Sequence, residues 1–506
     1  MIETLSMKAV FHAPKGPSWN EFQAHSCEVE LEAVDLGAPG WWRVKAWQDL
    51  GPLAEDERRG AARNAPRLHE GFFDTHLHVT WMGQVEGAVM GQAFAEVGHW
   101  LEALKLALAT QDPTKIFFAY AWDESRWGLR KERLAERAEA ELPATRAFLI
   151  YRVCGHAAFA SRALREQLGL GHLPFLLDDA GLAEVHARLP APSVAALKES
   201  FLQGQKELLA SGVSAVGDMS LEGDHFQAIA ELFEEGCVHL DVQGVILDGK
   251  APRVQDRGPH FQTSNSVSPF LGAPATFSVR HWKRYLDGSL GARSAWLSLP
   301  YEDAESFGQR HHETHELVRA ARLALEKGFC LSFHSIGDAA LDQLIEVGQG
   351  LLKPMRGRLE MPGNFPLPGT RHRVEHGQVM RDEQLRALVE QGCWALCAQP
   401  GHRVADQDFV KTRLGEKRHF EQGYRAATLL EGGLPVVLGT DAPVIGCDPE
   451  KTLIAACTHP NPKERLDFDF ALWAYTRGAR RLLGLPERTL GKGSLVRSTL
   501  AGDLGA

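Results

Sequence analysis

The chain has 506 residues and a formal net charge of −10, from 55 basic and 65 acidic side chains. At 44% hydrophobic it has the makeup of an ordinary soluble globular protein, long enough for about three domains or one large barrel with additions. An acidic balance with no concentrated basic tract argues against nucleic acid as a partner, and no apolar run is long enough to cross a bilayer.

The start, "MIETLSMKAVFHAPKGPSW", lacks the basic end and apolar stretch of a signal peptide, so the cytoplasm is the expected compartment. The 8 cysteines are scattered and form no Cys-x-x-Cys pair, which fits small buried hydrophobes in a reducing environment better than a cysteine zinc site.

Residues 1–68 carry the strand-like runs "KAVFHA", "CEVELEAVDLG" and "WWRVKAW", read as a small all-β unit. A charged, helix-prone piece, "LAEDERRGAARNA", leads out of it. From residue 71 strand-like runs alternate with helical ones. The strands are expected at 71–78, 214–220, 239–247, 277–286, 330–337, 371–378, 394–400 and 435–443. Helix-like runs such as "THELVRAARLALEKG" and "DEQLRALVEQG" lie between them and end in glycine, the usual C-terminal stop. Strand–helix alternation implies a parallel sheet, and eight such strands imply a (β/α)8 TIM-type barrel. Two further strand-like runs, 115–122 and 146–155, are assigned to an insertion after the first barrel strand, at about 80–212. The domain reading is therefore a small β-sandwich-like unit from 1–68, with about 485–506 added, and a barrel over 69–484.

The first barrel strand, "GFFDTHLHVT", poses the chemical question. A strand alternates faces with period two, so Asp74, His76 and His78 are expected on one face. Buried polar groups without partners are expensive, and a metal is one partner that two imidazoles accept. Further polar residues fall near the C-terminal ends of later strands, where barrel enzymes keep their active sites: Lys283, His334, His376 and Asp441. Singly, each reads as a hydrogen-bonded strand-end group, an ion-paired lysine or a turn cap; jointly they point to one site.

Five motifs in this order, "GFFDTHLH", "KRYLDGSLGARSAWL", "FHSIGDAALDQLIE", "RVEHGQ" and "GTDAPV", resemble the amidohydrolase superfamily, and within it the YtcJ-like group that includes N-substituted formamide deformylases. The resemblance runs from about residue 70 to 480. It implies a binuclear metal centre at the barrel mouth, usually zinc, although this ligand set also suits manganese, iron or cobalt. By position, His76 and His78 would bind one metal and His334 and His376 the other. Lys283, carboxylated by CO2, would bridge them as a carbamate, and Asp441 would bind the first metal and carry the proton. The metals would generate hydroxide near neutral pH and polarise the scissile carbonyl. Asp287 and Arg293, in the loop after the fourth strand, and Trp122 and His156, in the insertion, match family positions expected to shape the pocket and bind substrate.

The resemblance implies a small-molecule substrate and a C–N bond, an amide or formamide. Ester, lactone or phosphotriester hydrolysis on the same metals is the alternative, as is a non-catalytic metal-binding barrel. A homodimer is the expected assembly, because homologous barrels often dimerise. Two other motifs carry no chemistry. "HHETH" (311–315) lacks the glutamate position of a zinc protease and reads as a solvated helix start, and "GKGS" (491–494) lacks the upstream glycine of a phosphate loop. The short tail "LGKGSLVRSTLAGDLGA" leads to the expectation that the β unit is built almost wholly from N-terminal residues.

Overall fold

Apolar residues on every second position of the N-terminal runs build three long antiparallel strands, β1 (Thr4–Pro14), β2 (Phe22–Ala33) and β3 (Trp42–Pro52). With β4 (Arg67–His69) and the last strand, β20 (Leu495–Thr499), they close in the order β1-β2-β3-β20-β4. The unit is thus a small closed barrel rather than a sandwich. Closure pairs both flanking strands of each edge and leaves none open. The tail supplies one strand, antiparallel to β3 and β4. The computed structural model describes residues 4–15, 22–33, 42–54, 65–153, 155, 157–247, 262–267, 274–351, 353–355, 358–360, 370–488 and 495–499. Most of the charged stretch expected to be helical, Cys154, His156 and the "GKGS" turn lie outside them.

The main sheet is eight parallel strands in chain order, nearly closed into a TIM-type barrel. They are β5 (Phe72–Leu77), β10 (Val213–Leu221), β11 (Asp241–Leu247), β13 (Pro274–Tyr285), β14 (Cys330–Ser335), β17 (His372–His376), β18 (Trp394–Ala398) and β19 (Val436–Leu438). A ninth, β12 (Gln262–Val267), pairs antiparallel with β13, and β15 (Lys353–Met355) with β16 (Arg358–Glu360) forms a hairpin. Barrel strands are covered on both faces, which explains their apolar runs. Every residue of β14, "CLSFHS", is buried.

The helices answer with one apolar stripe each. In Thr314–Glu326 the buried residues are Leu317, Ala321, Ala324 and Leu325, three or four apart. Burying a large apolar side chain of this kind stabilises by about 1.5–3 kcal/mol. The floor is plugged by the helix Arg477–Leu483, whose Ala479, Leu482 and Leu483 pack with Phe73, Ala215, Cys397 and Val437. No strand ladder joins β19 to β5 among the described residues. The gap is bridged instead by Thr75 Oγ1 donating to Leu438 O (2.8 Å), Asp441 N to His76 O (2.6 Å) and His78 N to Ala442 O (2.9 Å). Arg67 and His12 of the small barrel both meet Asp469 at its helix, at 2.9 and 3.2 Å.

Residues 84–193 form a separate compact unit. Its sheet runs β6-β7-β8-β9, from β6 (Phe117–Trp122), β7 (Phe148–Arg152), β8 (Ala158–Ala160) and β9 (Leu176–Leu177). Helices Val97–Thr110 and Lys131–Glu141 cover it around Trp100, Leu104, Phe117, Leu134 and Phe159. The unit is narrower than the insertion drawn from sequence, because the helix Val194–Ala210 belongs with the barrel. Among the described residues no helix is long and apolar enough to cross a membrane.

Candidate metal centre

The barrel brings His76, His376 and Asp441 together: one ligand atom from each lies within 4.8 Å of the others, and all three residues are buried. His76 stands near the end of β5, His376 ends β17 and Asp441 follows β19. His376 and Asp441 hold φ at 73° and 64°, left-handed backbone that side chains rarely adopt. Such strain persists where surrounding structure over-determines it, and it clusters at functional sites.

Each histidine is oriented by a fixed partner. Glu375 Oε2 lies 2.6 Å from His76 Nδ1. A carboxylate accepts, so Nδ1 carries the proton and the neutral ring keeps its Nε2 lone pair. That Nε2 faces Asp441 Oδ1 at 3.3 Å and Lys283 Nζ at 3.4 Å. His376 is set in the same way. Gln399 donates Nε2 to Cys397 O (2.8 Å), which turns its Oε1 onto His376 Nδ1 at 2.9 Å and again leaves Nε2 bare. Carboxylate or carbonyl partners of this kind fix the tautomer of metal-binding histidines.

Glu375 is in turn held by Arg373 Nε (2.6 Å) and Ser332 Oγ (2.7 Å). Burial alone would raise its carboxyl, but the Arg373 guanidinium and the His76 ring hold it well below the usual range. Asp441 is also held well below the usual carboxylate range: burial opposes its charge, and its surroundings at His76 and His78 outweigh burial, so it stays ionised. Burial lowers His78 and His376, and burial with Lys283 nearby lowers His334 to about 3. His78, His334 and His376 are therefore neutral imidazoles and Asp441 an ionised carboxylate at neutral pH, the protonation states a divalent metal requires.

The other residues singled out by sequence fall around this cluster or away from it. His78 Nε2 is 3.2 Å from Asp441 Oδ1. The His334 ring packs 4.5 Å from His376, centroid to centroid, with its Nε2 3.1 Å from Gly288 O; a carbonyl accepts, so Nδ1 is the free nitrogen.

Asp74 has a separate role. Its carboxylate does not join the cluster but turns to Thr440 N (3.0 Å), Thr440 Oγ1 (2.7 Å), Tyr475 OH (2.8 Å) and His76 N (3.2 Å). It ties the two ligand-bearing segments together across the ladder gap.

Asp287, expected to shape the pocket and bind substrate, accepts from the backbone N–H groups of Trp296 (2.9 Å), Ile336 (3.0 Å) and Gly337 (2.7 Å), and burial lifts it to about 7 despite them. It builds the loop. Arg293 is held by Asp303 at 2.7 Å, with φ at 57°. Trp122 is fully buried in the unit 84–193, stacked 4.4 Å from Phe159 with its indole N–H on Ile150 O (2.9 Å), so neither its face nor its donor is left for a substrate.

One residue escaped the sequence reading. His402 follows β18 in the turn of helix Pro400–Ala405, with Nε2 3.5 Å from Asp441 Oδ2 and its ring 5.8 Å from His376. The signal was present: "AQPGH" runs straight on from a predicted barrel strand, on the side where the other ligands lie.

The Amidohydrolase family model matches residues 71–495, spanning all the barrel strands and the whole cluster. The chain belongs to the amidohydrolase family. Among similar proteins is YtcJ of Bacillus subtilis (strain 168), whose name places it with the amidohydrolases; it is 24% identical over 467 residues, covering 85% of this chain and 82% of that protein. The Arabidopsis thaliana protein LONG AFTER FAR-RED 3 is 24% identical over 446 residues, covering 81% of this chain and 73% of that one. Among solved structures, an uncharacterised metal-dependent hydrolase from Pyrococcus horikoshii OT3 shares the fold, with a TM-score of 0.69 at 23% identity over 98% of this chain and 96% of that one. As an amidohydrolase family member, the chain is a hydrolase with a candidate His76–His376–Asp441 metal site.

Proposed function

We propose that this amidohydrolase family member is a metal-dependent hydrolase that cleaves a C–N bond, an amide or formamide, in a small-molecule substrate in the cytoplasm. The observation that carries the reading is the pair of histidines, His76 and His376, each with Nδ1 committed to a protein acceptor and Nε2 bare beside ionised Asp441. The donor set fits zinc or another divalent transition metal. His76, His376 and Asp441 would hold it. His78, Lys283 and His334 border the same cluster and are the groups available to a second ion. Lys283, as a carbamate, would exchange a cation for an anionic oxygen ligand.

A metal bound there supplies Lewis acidity and lowers the pKa of water. The chain's own residues do the rest. Asp441 takes the proton released by the attacking water and passes it to the departing nitrogen, the double duty of a positioned carboxylate. Glu375 keeps the His76 ring in place throughout, and Asp74 keeps the segments bearing His76 and Asp441 in register.

The test is turnover of an N-substituted formamide and amide panel against an ester and lactone panel, by zinc-loaded wild type and Asp441→Asn. The expected result is amide turnover that falls by about 10²–10⁴-fold in the variant. Ester turnover with no amide turnover, or an Asp441→Asn enzyme as fast as wild type, contradicts the reading.

A further inference from the structure

The bare nitrogens of His76 and His376 contrast with His402. Gln378 presents its amide Nε2 to His402 Nδ1 at 2.9 Å. An amide nitrogen only donates, so Nδ1 accepts and the proton of the neutral ring sits on Nε2. This is the reverse of the setting that Glu375 and Gln399 impose on the other two rings. The protonated Nε2 is buried, makes no hydrogen bond among the described residues, and faces Asp441 Oδ2 at 3.5 Å. The opposite oxygen, Oδ1, faces His76 and His78 at 3.3 and 3.2 Å.

We propose that His402 is a positioning residue, not a metal ligand: it donates Nε2–H to Asp441 Oδ2 and so aims Oδ1 at the metal-binding side. A ring with a proton on the nitrogen nearest the centre offers no lone pair there, which separates it from the ligand histidines. Its place suits a donor. Gly401, next to it, stands where a Cβ would meet Ile445 at 2.4 Å, so the turn holds the ring close to the segment that follows Asp441. Catalytic hydrogen bonds are often long before substrate is bound and shorten in the working complex. The role rests on the reading of Asp441 as proton carrier.

Three measurements on the zinc-loaded full chain test it. The first is metal content. His402→Leu should keep the wild-type content, whereas His376→Ala should lose it; loss in both would make His402 a ligand and overturn the proposal. The second is nitrogen-15 NMR of histidine-labelled protein, with the His402 ring assigned by its disappearance in His402→Gln. A protonated Nε2 and a bare Nδ1 are expected, and the opposite tautomer refutes it.

The third is kinetics on whichever substrate is turned over. His402→Leu should lower kcat by about 10–100-fold with KM little changed, as loss of an outer-shell partner does. His402→Gln, whose amide reaches as far as Nε2, should recover most of the rate. His402→Asn, which reaches only as far as Nδ1, should not. A raised KM at unchanged kcat, or equal rescue by both amides, contradicts it. If no substrate is turned over, the hydrolase reading fails, while metal content and NMR still decide the fate of His402.

Discussion

The barrel mouth and the unit at 84–193 use the same side-chain types to opposite ends. In the unit, Trp122 is fully buried and its one polar atom is satisfied by Ile150 O. Trp100 is likewise fully buried, stacked on Trp127 at 5.0 Å. The indole nitrogen of Trp100 is buried without a hydrogen bond among the described residues, but no second bare group converges on it. At the mouth, polar groups are as deeply buried, yet their hydrogen bonds go to orienting one another. Glu375 and Gln399 take the Nδ1 protons and leave bare nitrogens converging on a carboxylate. Burial alone therefore does not separate core from site. What separates them is whether bare valence from several side chains converges on one point.

The comparison can be broken first at Trp122. Trp122→Ala is expected to cost about 3–5 kcal/mol of stability, as loss of a fully buried aromatic does, while leaving metal content per folded chain unchanged. Chemical denaturation alongside metal analysis checks this, and lost metal in a folded variant would return Trp122 to the site. At the mouth, Glu375→Gln removes the carboxylate that holds His76 and leaves Arg373 uncompensated. Metal affinity, read by chelator competition, should fall by about 10–100-fold.

The smallest effect is in the pH dependence of the metal-free protein. His281, His334 and His372 are each pushed down to about 3 by burial, and burial lowers His78 and His376 too. Their folded values lie below the unfolded one, so below about pH 6.5 the unfolded chain takes up protons that the folded chain refuses, and stability falls. Asp74, raised to about 6, Asp287, raised to about 7, and Asp406, raised by burial, act in the opposite sense, but they are three groups against eight, because burial also lowers His239, His419 and His459. Melting temperature should therefore drop between pH 7 and pH 5, with a slope of about 1.4 kcal/mol per pH unit for each net proton. A flat or rising profile would mean that the histidines are not held neutral.

How far sequence carried the account follows from the range of each signal. The eight barrel strands were legible because both their faces are buried, which leaves apolar runs that glycine-ended helices punctuate. His76, His376 and Asp441 were legible as polar residues near strand ends. The period-two rule gives Asp74 a face, not a destination; the ladder gap between β5 and β19 offers its carboxylate four donors that only the closed barrel supplies. Trp122 was assigned to substrate through motif likeness, and the packing of Phe159 against it has no trace in local spacing. His402 was missed because it lies past the strand end, where alternation no longer counts, and its meaning depends on Gln378, 24 residues earlier. The small β unit reads as strands but not as a closed barrel, since closure needs a strand from 495–499, more than 400 residues away.

The most direct measurement is the metal content of purified, folded protein, by elemental analysis of wild type and His376→Ala after supply of zinc and exhaustive dialysis. The account predicts at least one equivalent per chain in wild type and a clear loss in the variant, with circular dichroism unchanged. Wild-type protein that retains no metal, or a variant that retains all of it, would contradict the central claim that His76, His376 and Asp441 are arranged around a metal.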